Sequence, residues 1–229
     1  MVMAKSGYHH GDLRSALLDV AEALVRERGV DGWSLREACV RIGVSPSAAY
    51  HHFASRDALV GALAARVLTQ LGEHLAHAAE HAAGDVQQRL IAFSTGYVRW
   101  AMDDPAVARL AFSAGRATAE TVVPPHPHDV LVAELDRLVE AGGLKAAARP
   151  GAEFIVWAAV HGLATLLADG LVQLDDQRAA DLETERLVRA TLTGLAQEEP
   201  RSTAWPTARS AHTERLARQQ AALSPEGDG

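Results

Sequence analysis

Apolar residues recur at intervals of three and four along most of this chain, which is the spacing of one face of an α-helix. The first such stripe begins at Asp12 and stops before Gly29. A longer stripe runs from Ser55 to about Ala83 and has a large apolar side chain at every fourth position, namely Leu59, Leu63, Val67, Leu71 and Leu75. Runs of β-branched residues are few, so the pattern predicts an all-α protein.

Between these two helices, residues 34–56 form a pattern of two short helices joined by a tight turn. Ser34 and Glu37 have the spacing of a capping box, in which the two side chains satisfy free backbone N–H groups at a helix start. Gly43 supplies the residue that ends this helix, and Ser45 caps the next one. Two short helices linked in this way form a helix-turn-helix.

The second of these short helices is predicted between Pro46 and Phe53. At about 100° per residue, Pro46, Ala49 and Phe53 share one side and are expected to pack on the neighbouring helices. Ser47 and His51 point the opposite way, on a small hydrogen-bonding face without a carboxylate. A helix of this size fits the major groove of DNA. An ordinary helical hairpin has the same spacing, so the pattern by itself leaves both interpretations open.

The remainder of the chain predicts five more helices, separated by glycine, proline or aspartate signals. They are expected at residues 85–102, 105–114, 129–141, 152–169 and 181–196. The proline-dense loop at residues 122–127 is expected on the surface. The helix at residues 152–169 is apolar almost all round, which is typical of a helix buried on several sides or at a subunit interface.

The pattern divides the chain into three parts. Residues 1–56 are expected to form a domain around the helix-turn-helix, and residues 57–197 a larger helical domain. The helix at residues 57–83 connects the two without a glycine or proline hinge, so it would act as a stiff lever. Residues 198–229 are polar and twice broken by proline, and we expect a largely flexible tail.

Composition narrows the classes of protein that fit. Hydrophobic residues make up 48% of the 229 positions, which permits a real core. The single cysteine, Cys39, excludes an internal disulfide and is expected to be a buried small side chain. The longest apolar run, residues 154–168, is too short to span a bilayer, and no apolar leader opens the chain. We therefore expect a soluble cytoplasmic protein without a membrane partner.

The net charge of −7 is unevenly distributed. Residues 1–66 carry eight lysines and arginines against seven acidic side chains, whereas the remainder carries 14 against 22. An acidic body joined to a near-neutral N-terminal part would orient the N-terminal part toward an anionic partner such as DNA.

The segments YHHGDLRSALLDVAEALVRERG and SLREACVRIGVSPSAAYHHFASRDALV resemble the TetR family of transcriptional regulators over about residues 8–66. The resemblance implies a dimer of nine or ten helices per protomer, with an N-terminal DNA-binding domain and a C-terminal effector and dimerisation domain. Trp157, His161 and Gly162 are similar to a Trp-His-Gly motif in one branch of that family. The implied partners are a double-stranded DNA operator, a small-molecule effector and a second copy of the chain.

Carried over by position, the family's operator contacts fall on residues of the helix-turn-helix and on the start of the helix that follows it. They are Arg36, Ser45, Ser47, Ala48, Tyr50, His51, His52 and Arg56. In the family, the counterpart of Arg36 reaches a base and those of Tyr50 and His52 hold phosphates. Arg56 replaces a usual lysine and Ala48 a frequent threonine. Base reading would therefore depend on Arg36, His51 and apolar contact with thymine methyl groups.

Aromatic residues of the C-terminal part are candidates for an effector cavity. They are Phe93, Tyr97, Trp100, Phe112, Phe154, Trp157 and His161. Trp157 and His161 lie one turn apart on a largely apolar helix, where a single polar group among apolar walls would orient a ligand. Ordinary core packing explains the same residues. The cavity interpretation predicts a mainly hydrophobic effector.

Three alternative functions are considered from the same sequence. His74, His77 and His81 share a helix face, so a metal-responsive regulator is an alternative, although no cysteine or fixed carboxylate completes the site. A helical protein-binding adaptor without DNA binding is another. No nucleophile elbow, phosphate loop or dinucleotide fingerprint is present, so we expect neither an enzyme nor a cofactor. The sequence favours a ligand-responsive, homodimeric repressor that binds a palindromic operator.

Overall fold

Residues 10–113 and 124–197 are described by the computed structural model of the chain. Within these ranges all regular secondary structure is helical, so the predicted fold class is confirmed. The helices are α1 (His10–Arg28), α2 (Leu35–Ile42), α3 (Pro46–Tyr50), α4 (Arg56–Glu80), α5 (Val86–Asp103), α6 (Pro105–Ser113), α7 (Pro127–Glu140), α8 (Ala152–Ala168) and α9 (Gln177–Gln197), with a 3-10 turn at Ala146–Ala148. The predicted tail at 198–229 lies outside the described residues, as do Val122 and Val123 of the predicted surface loop.

The ends of α2 follow from local side chains. The Ser34 hydroxyl accepts a hydrogen bond from the backbone N–H of Glu37 at 3.2 Å, and Gly43 ends the helix with φ 72°. Only Gly adopts this left-handed conformation without a steric penalty from a Cβ. A capping box also has a second hydrogen bond, from the backbone N–H of Ser34 to the Glu37 carboxylate. That part of the prediction is wrong, because the Glu37 carboxylate pairs with Arg28 Nη1 at 2.8 Å instead.

Helix α3 is shorter than predicted and ends at Tyr50 rather than Phe53. The backbone N–H groups of His52 and Phe53 both donate to the Ala49 carbonyl at 2.9 Å, which closes a turn. The turn is needed because Ser55 adopts an extended conformation, φ −154°, to cap α4. Ala49 and Phe53 are buried as expected, whereas Pro46 is exposed, since the short helix packs through its C-terminal end only.

The buried apolar side chains form two cores. The N-terminal core contains residues of α1, α2, α3, α6 and the first half of α4, among them Leu17, Leu24, Cys39, Ala49, Phe53, Leu63 and Leu110. The C-terminal core contains residues of α5, α7, α8, α9 and the second half of α4, together with Ala108 of α6, among them Leu75, Leu90, Phe93, Tyr97, Leu135, Val156 and Val188. Helices α4 and α6 therefore contribute to both cores.

Helix α4 is unbroken over 25 residues, or about 37 Å at 1.5 Å per residue. Leu59 and Leu63 lie in the N-terminal core, and Leu71 and Leu75 in the C-terminal core. Because all four side chains belong to one continuous helix, a displacement at one end of α4 reaches the other core.

The loop before α7 packs against α4, which corrects the expectation of a surface loop for its described residues. A Cβ atom on Gly72 of α4 would overlap the carbonyl oxygen of Pro125, so the absence of a side chain allows this close approach. Pro127 is buried, while Pro124 remains exposed.

Helices α8 and α9 also differ from expectation. Helix α8 is buried along one side only, and Leu166 on its other side is 41% exposed. Helix α9 begins at Gln177, four residues earlier than predicted, because the Asp176 carboxylate accepts from the Ala179 N–H at 2.8 Å and caps it. Across the described ranges, no helix is long and apolar enough to cross a membrane.

Candidate functional site

The helix-turn-helix exposes most of the residues predicted to contact DNA. Seven of the eight residues predicted to contact DNA lie on α2, on α3 or in the turns on either side of α3. Arg36, Ser45, Ser47, Tyr50 and His51 are exposed, and Ala48 and His52 are partly buried. Tyr50 is 56% exposed, which is unusual for a large aromatic side chain in a small unit.

Arg36 differs from the other arginines of this unit. Arg26, Arg28 and Arg41 each pair with a carboxylate within 2.8 Å. Arg36 is exposed and forms no ion pair with any residue of the described ranges. A guanidinium without an internal partner is available for a base edge or a phosphate.

Arg56, the eighth predicted contact, points back into the protein. Its Nε donates to the Trp33 carbonyl at 3.0 Å, and its Nη2 donates to the Val30 carbonyl. The guanidinium carbon lies 4.8 Å from the centroid of the Trp33 ring. The side chain is 24% exposed, so it is the most enclosed of the predicted contacts that carry a charge.

A cavity of about 380 Å³ lies between α5, α6 and α8. Its walls are mostly apolar, with a few polar groups at one end. The lining residues are Tyr97, Ala101, Pro105, Ala108, Arg109, Phe112, His161, Ala164, Thr165, Ala168 and Asp169. A volume of this size holds a compact ligand of about one ring system.

A polar pair lies inside the aromatic wall of this cavity. Tyr97 Oη and His161 Nδ1 are 2.7 Å apart, although the two residues are 64 positions apart in sequence. The rings of Phe112 and His161 meet edge to face with centroids 4.9 Å apart. Trp157 does not line the cavity; its ring stacks on the imidazole of His161 with centroids 5.7 Å apart and lies 5.0 Å from the ring of Tyr97.

Comparison with known proteins assigns both parts of the chain. Residues 17–63 match the family of bacterial regulatory proteins called the tetR family. Residues 90–192 match the tetracyclin repressor-like C-terminal domain. The two matches together cover more than half of the chain.

The chain belongs to the TetR family.

Solved structures share this fold. A protein of unknown function from Rhodococcus sp. RHA1 is 30% identical, with a TM-score of 0.71 over 84% of this chain and 100% of its own. A TetR-family transcriptional regulator from Pectobacterium atrosepticum is 19% identical, with a TM-score of 0.62 over 86% and 100%. RolR in complex with the ligand resorcinol is 17% identical, with a TM-score of 0.59 over 85% and 98%. No curated protein matches the chain.

The predicted resemblance to TetR regulators is thus confirmed, and the protein is a helix-turn-helix, DNA-binding regulator of transcription. TetR-family regulators are generally not enzymes. They bind small-molecule ligands and typically dimerise. Membership of the Trp-His-Gly branch stays a prediction. In this TetR-family protein, His161 lines the cavity, whereas Gly162 lines a different groove between α8 and α9.

Burial keeps the Tyr97–His161 pair uncharged at neutral pH. Burial lowers the pKa of His161, because the desolvated imidazolium is disfavoured, and burial raises the pKa of Tyr97 for the corresponding reason. In the tautomer protonated on Nε2, His161 Nδ1 accepts from the Tyr97 hydroxyl. At the rim, Arg109 Nη2 and Asp169 are 2.7 Å apart and pair with each other.

Acidification is expected to destabilise this TetR-family protein partly through His161. Because the pKa of His161 is lower in the folded state, the unfolded chain takes up a proton first as the pH falls below about 6.5. The contribution of His161 is therefore fully present above that pH and declines below it. Urea unfolding at pH 7.5 and 5.5 should show a larger loss for the natural protein than for His161→Gln. An equal loss in both would contradict a buried neutral His161.

Not all predicted effector residues line the cavity. Phe93 is buried in the C-terminal core, and Phe154 lies beside His128, with ring centroids 6.5 Å apart. Trp100 lines a separate groove of about 650 Å³ between α4 and α5. Thr165 and Asp169 also line the cavity, but the sequence analysis did not find them because it considered only aromatic side chains. They follow His161 at four-residue intervals, on the same face of the chain as His161. Helical spacing from His161 would have found both.

The histidines considered for a metal do not form a closed ligand set. The rings of His77 and His81 stack with centroids 4.0 Å apart, and His81 Nδ1 is 2.9 Å from the His77 carbonyl oxygen. His74 lies in the groove between α4 and α5. Within residues 10–113 and 124–197, no three histidine, cysteine or acidic side chains are arranged to hold a metal ion.

Proposed function

We propose that this protein is a homodimeric repressor that binds a palindromic operator and releases it when a small, mainly hydrophobic molecule enters the cavity between α5, α6 and α8. The observation that carries the proposal is the position of α6. One side of this helix lines the cavity, and its other side belongs to the core that holds the helix-turn-helix. A repressor of this kind works where the DNA is, in the cytoplasm.

The DNA-reading surface of the proposal is the exposed face of α2 and α3. Arg36, which pairs with no residue in the described part of the chain, would read a base edge with its guanidinium, and His51 would contribute a second hydrogen bond. Ser45, Ser47, Ala48 and His52 would lie against the sugar-phosphate backbone or thymine methyl groups. Tyr50 would hold a phosphate with its hydroxyl, which fits the exposure of an aromatic ring that has no core role.

The dimer of the proposal forms through α8 and α9. These helices share an open groove of about 440 Å³, lined by Ala159, Gly162, Leu163, Leu166, Glu183, Arg186, Leu187 and Ala190. A Cβ on Gly162 would meet nothing within 4 Å, so another backbone can approach closely there. A second copy of the chain suits this face, because a two-fold interface joins the same patch on both protomers.

Helix α6 provides the coupling between cavity and DNA. Phe112 and Ala108 line the cavity, while Val107 and Leu110 are buried in the N-terminal core. At the start of α6, Asp104 accepts a hydrogen bond of 2.6 Å from Arg26 of α1. A ligand that displaces Phe112 would therefore shift α6, and with it the two helices that α6 packs against, α1 and α4.

A ligand releases DNA only if it binds the non-DNA conformation more tightly than the DNA-bound one. A typical coupling free energy of about 1–3 kcal/mol corresponds to roughly 5–150-fold weaker operator binding. The cavity walls favour a small uncharged molecule with one ring, oriented by Tyr97 and His161. The resorcinol bound to RolR has this chemistry, which makes resorcinol a reasonable first compound for screening.

We expect specific binding to an inverted repeat, recovered by selection from random duplex DNA. Two protomers related by a two-fold axis place their recognition helices about one DNA turn apart, roughly 34–36 Å. Affinity should fall steeply with salt because phosphate contacts release counterions. Arg36→Ala should cost about 1–3 kcal/mol and relax sequence preference, whereas Tyr50→Phe should weaken binding on all sequences alike. Preference for a site without a repeat, or affinity independent of salt, would count against the proposal.

The cavity is tested by separating operator affinity from ligand response. With resorcinol and a library of small aromatic compounds, His161→Ala should leave operator affinity unchanged and raise the ligand concentration needed for release several-fold. His74→Ala is the matched control, because His74 is an exposed histidine outside this cavity. If His161→Ala lowers the melting temperature and leaves the ligand response unaltered, His161 is a core residue and the cavity assignment fails.

A further inference from the structure

Arg56 occupies a position where a cation is electrostatically unfavourable. It is the first residue of α4, and the N-terminus of a helix carries a partial positive charge. Its side chain turns away from solvent toward the connection between α1 and α2, residues 29–34. The guanidinium must therefore be held by interactions that outweigh the repulsion from the helix end.

Those interactions all involve the α1–α2 connection or the first turn of α4. Nε and Nη2 donate to the carbonyls of Trp33 and Val30, and the guanidinium plane lies over the Trp33 ring. Nη2 is also 3.6 Å from Asp31, and Nη1 is 3.5 Å from Asp57. The side chain thus ties α4 to a loop that belongs to no helix.

Only arginine has the geometry for this arrangement. Its planar guanidinium carries five N–H donors in a fixed fork and stacks on aromatic faces. A lysine ammonium is a compact point charge, which cannot bridge two carbonyls and cover an indole at the same time. Trp33 is 5% exposed, and its Nε1 has no hydrogen-bond partner among the described residues, so packing and the guanidinium hold the ring.

The loop that Arg56 holds leads directly into the DNA-reading helix. The residue after Trp33 is Ser34, whose hydroxyl caps α2, and Arg36 is the second residue of that helix. A fixed Trp33 carbonyl therefore fixes the start of α2 and the direction from which Arg36 leaves the protein surface.

We propose that Arg56 is a positioning residue for DNA recognition: its guanidinium holds the α1–α2 loop against α4 and so orients Arg36, and it does not contact a phosphate itself. The inference rests on the proposed base contact of Arg36. It differs from the assignment carried over from the family, in which the residue at this position is itself one of the operator contacts.

Arg56→Lys and Arg56→Gln separate the two roles. Positioning requires the shape of the guanidinium, so both variants should bind the selected operator about tenfold or more weakly, a change of ~1.4 kcal/mol. The dependence of log affinity on log salt should be unchanged for both variants, including Arg56→Gln, which removes the charge. Both variants should lose discrimination at the base pair that Arg36→Ala identifies as the one read by Arg36. Arg41→Lys, which alters an arginine paired with exposed Glu27, is the matched control and should bind like the natural protein.

A phosphate contact gives a different result. Lysine would then preserve affinity, and Arg56→Gln would reduce the salt slope by about 0.9 per protomer, or about 1.8 for the dimer. Either finding would overturn the positioning role. Equal weakening on every sequence, with base discrimination intact, would also overturn it, because a general structural role has that effect.

Hydrogen exchange in the absence of DNA keeps the test independent of operator binding. Arg56→Lys should speed exchange of backbone amides in residues 30–37 while α5 and α8 stay protected. Loss of the native circular dichroism spectrum in both variants would make Arg56 a determinant of folding and overturn the inference. If the natural protein bound no duplex even at low salt, the proposed function would fail, and the exchange experiment would still report on the loop.

Discussion

Leu166→Glu is expected to convert the dimer into monomers and to weaken operator binding by about 10²–10⁴-fold. Leu166 is exposed in the isolated protomer, so a glutamate there leaves both cores intact. In a two-fold interface the substitution places two carboxylates in one apolar groove, where desolvation opposes association. Each monomer would then bind its half-site without the effective concentration that the second half supplies, which accounts for the size of the loss.

Sedimentation equilibrium and fluorescence anisotropy with the selected operator measure the two effects of Leu166→Glu. Ala133→Glu is the control, because it adds the same charge to an exposed position of α7 away from the groove. A Leu166→Glu protein that remains dimeric with natural affinity would show that the groove between α8 and α9 is not the interface.

Arg89→Met is expected to lower the free energy of unfolding by about 3 kcal/mol, the low end of the range for breaking a buried ion pair. Arg89 of α5 donates two hydrogen bonds of 2.7 Å to the Glu134 carboxylate of α7, and Glu134 is only 4% exposed. Removing the guanidinium leaves a buried charge. Arg137, at 3.5 Å and largely exposed, compensates part of it, which keeps the loss at the low end.

The double variant Arg89→Met/Glu134→Leu is the control for the buried charge. Two apolar side chains of similar volume should recover most of the stability, because the penalty of Arg89→Met comes from the unpaired carboxylate and not from lost packing. Urea denaturation of the single and double variants measures this difference. A double variant as unstable as Arg89→Met would show that the helix contact itself depends on the two hydrogen bonds.

The proposed DNA-reading surface and the cavity are connected by two shared helices, α4 and α6. Helix α4 carries Arg56 beside the DNA-reading surface and Gly72 beneath the loop that precedes α7. Helix α6 is buried in one core and lines the cavity at the edge of the other. Closely packed side chains compress little, so a displacement at one point is passed on to the neighbouring helices. In the proposed mechanism, a ligand with a single ring is therefore large enough to shift the helix-turn-helix.

The starts and ends of the short helices could be predicted from the sequence, because they are determined by residues within a few positions of each other. Ser34, Gly43 and Ser45 begin and end helices through bonds to their own neighbours, and the structure has each in that role. The spacing of Leu59, Leu63, Val67, Leu71 and Leu75 buries one face of α4 as expected. Even here, local reasoning placed the end of α3 three residues too late, since the extended Ser55 of the next helix requires the turn.

Only the tertiary structure decided how distant residues meet. Tyr97 and His161 lie 64 positions apart, and neither residue's neighbours indicate that the hydroxyl and the imidazole form a pair. The direction of the Arg56 side chain depends on the backbone carbonyls of Trp33 and Val30, which lie 23 and 26 residues earlier in the chain. The packing of α1 against α2 and α4 sets the positions of these carbonyls. Helical periodicity determines which side of a helix is apolar, whereas the partner of that side, and the space left between helices, follow only from the packing of the whole chain.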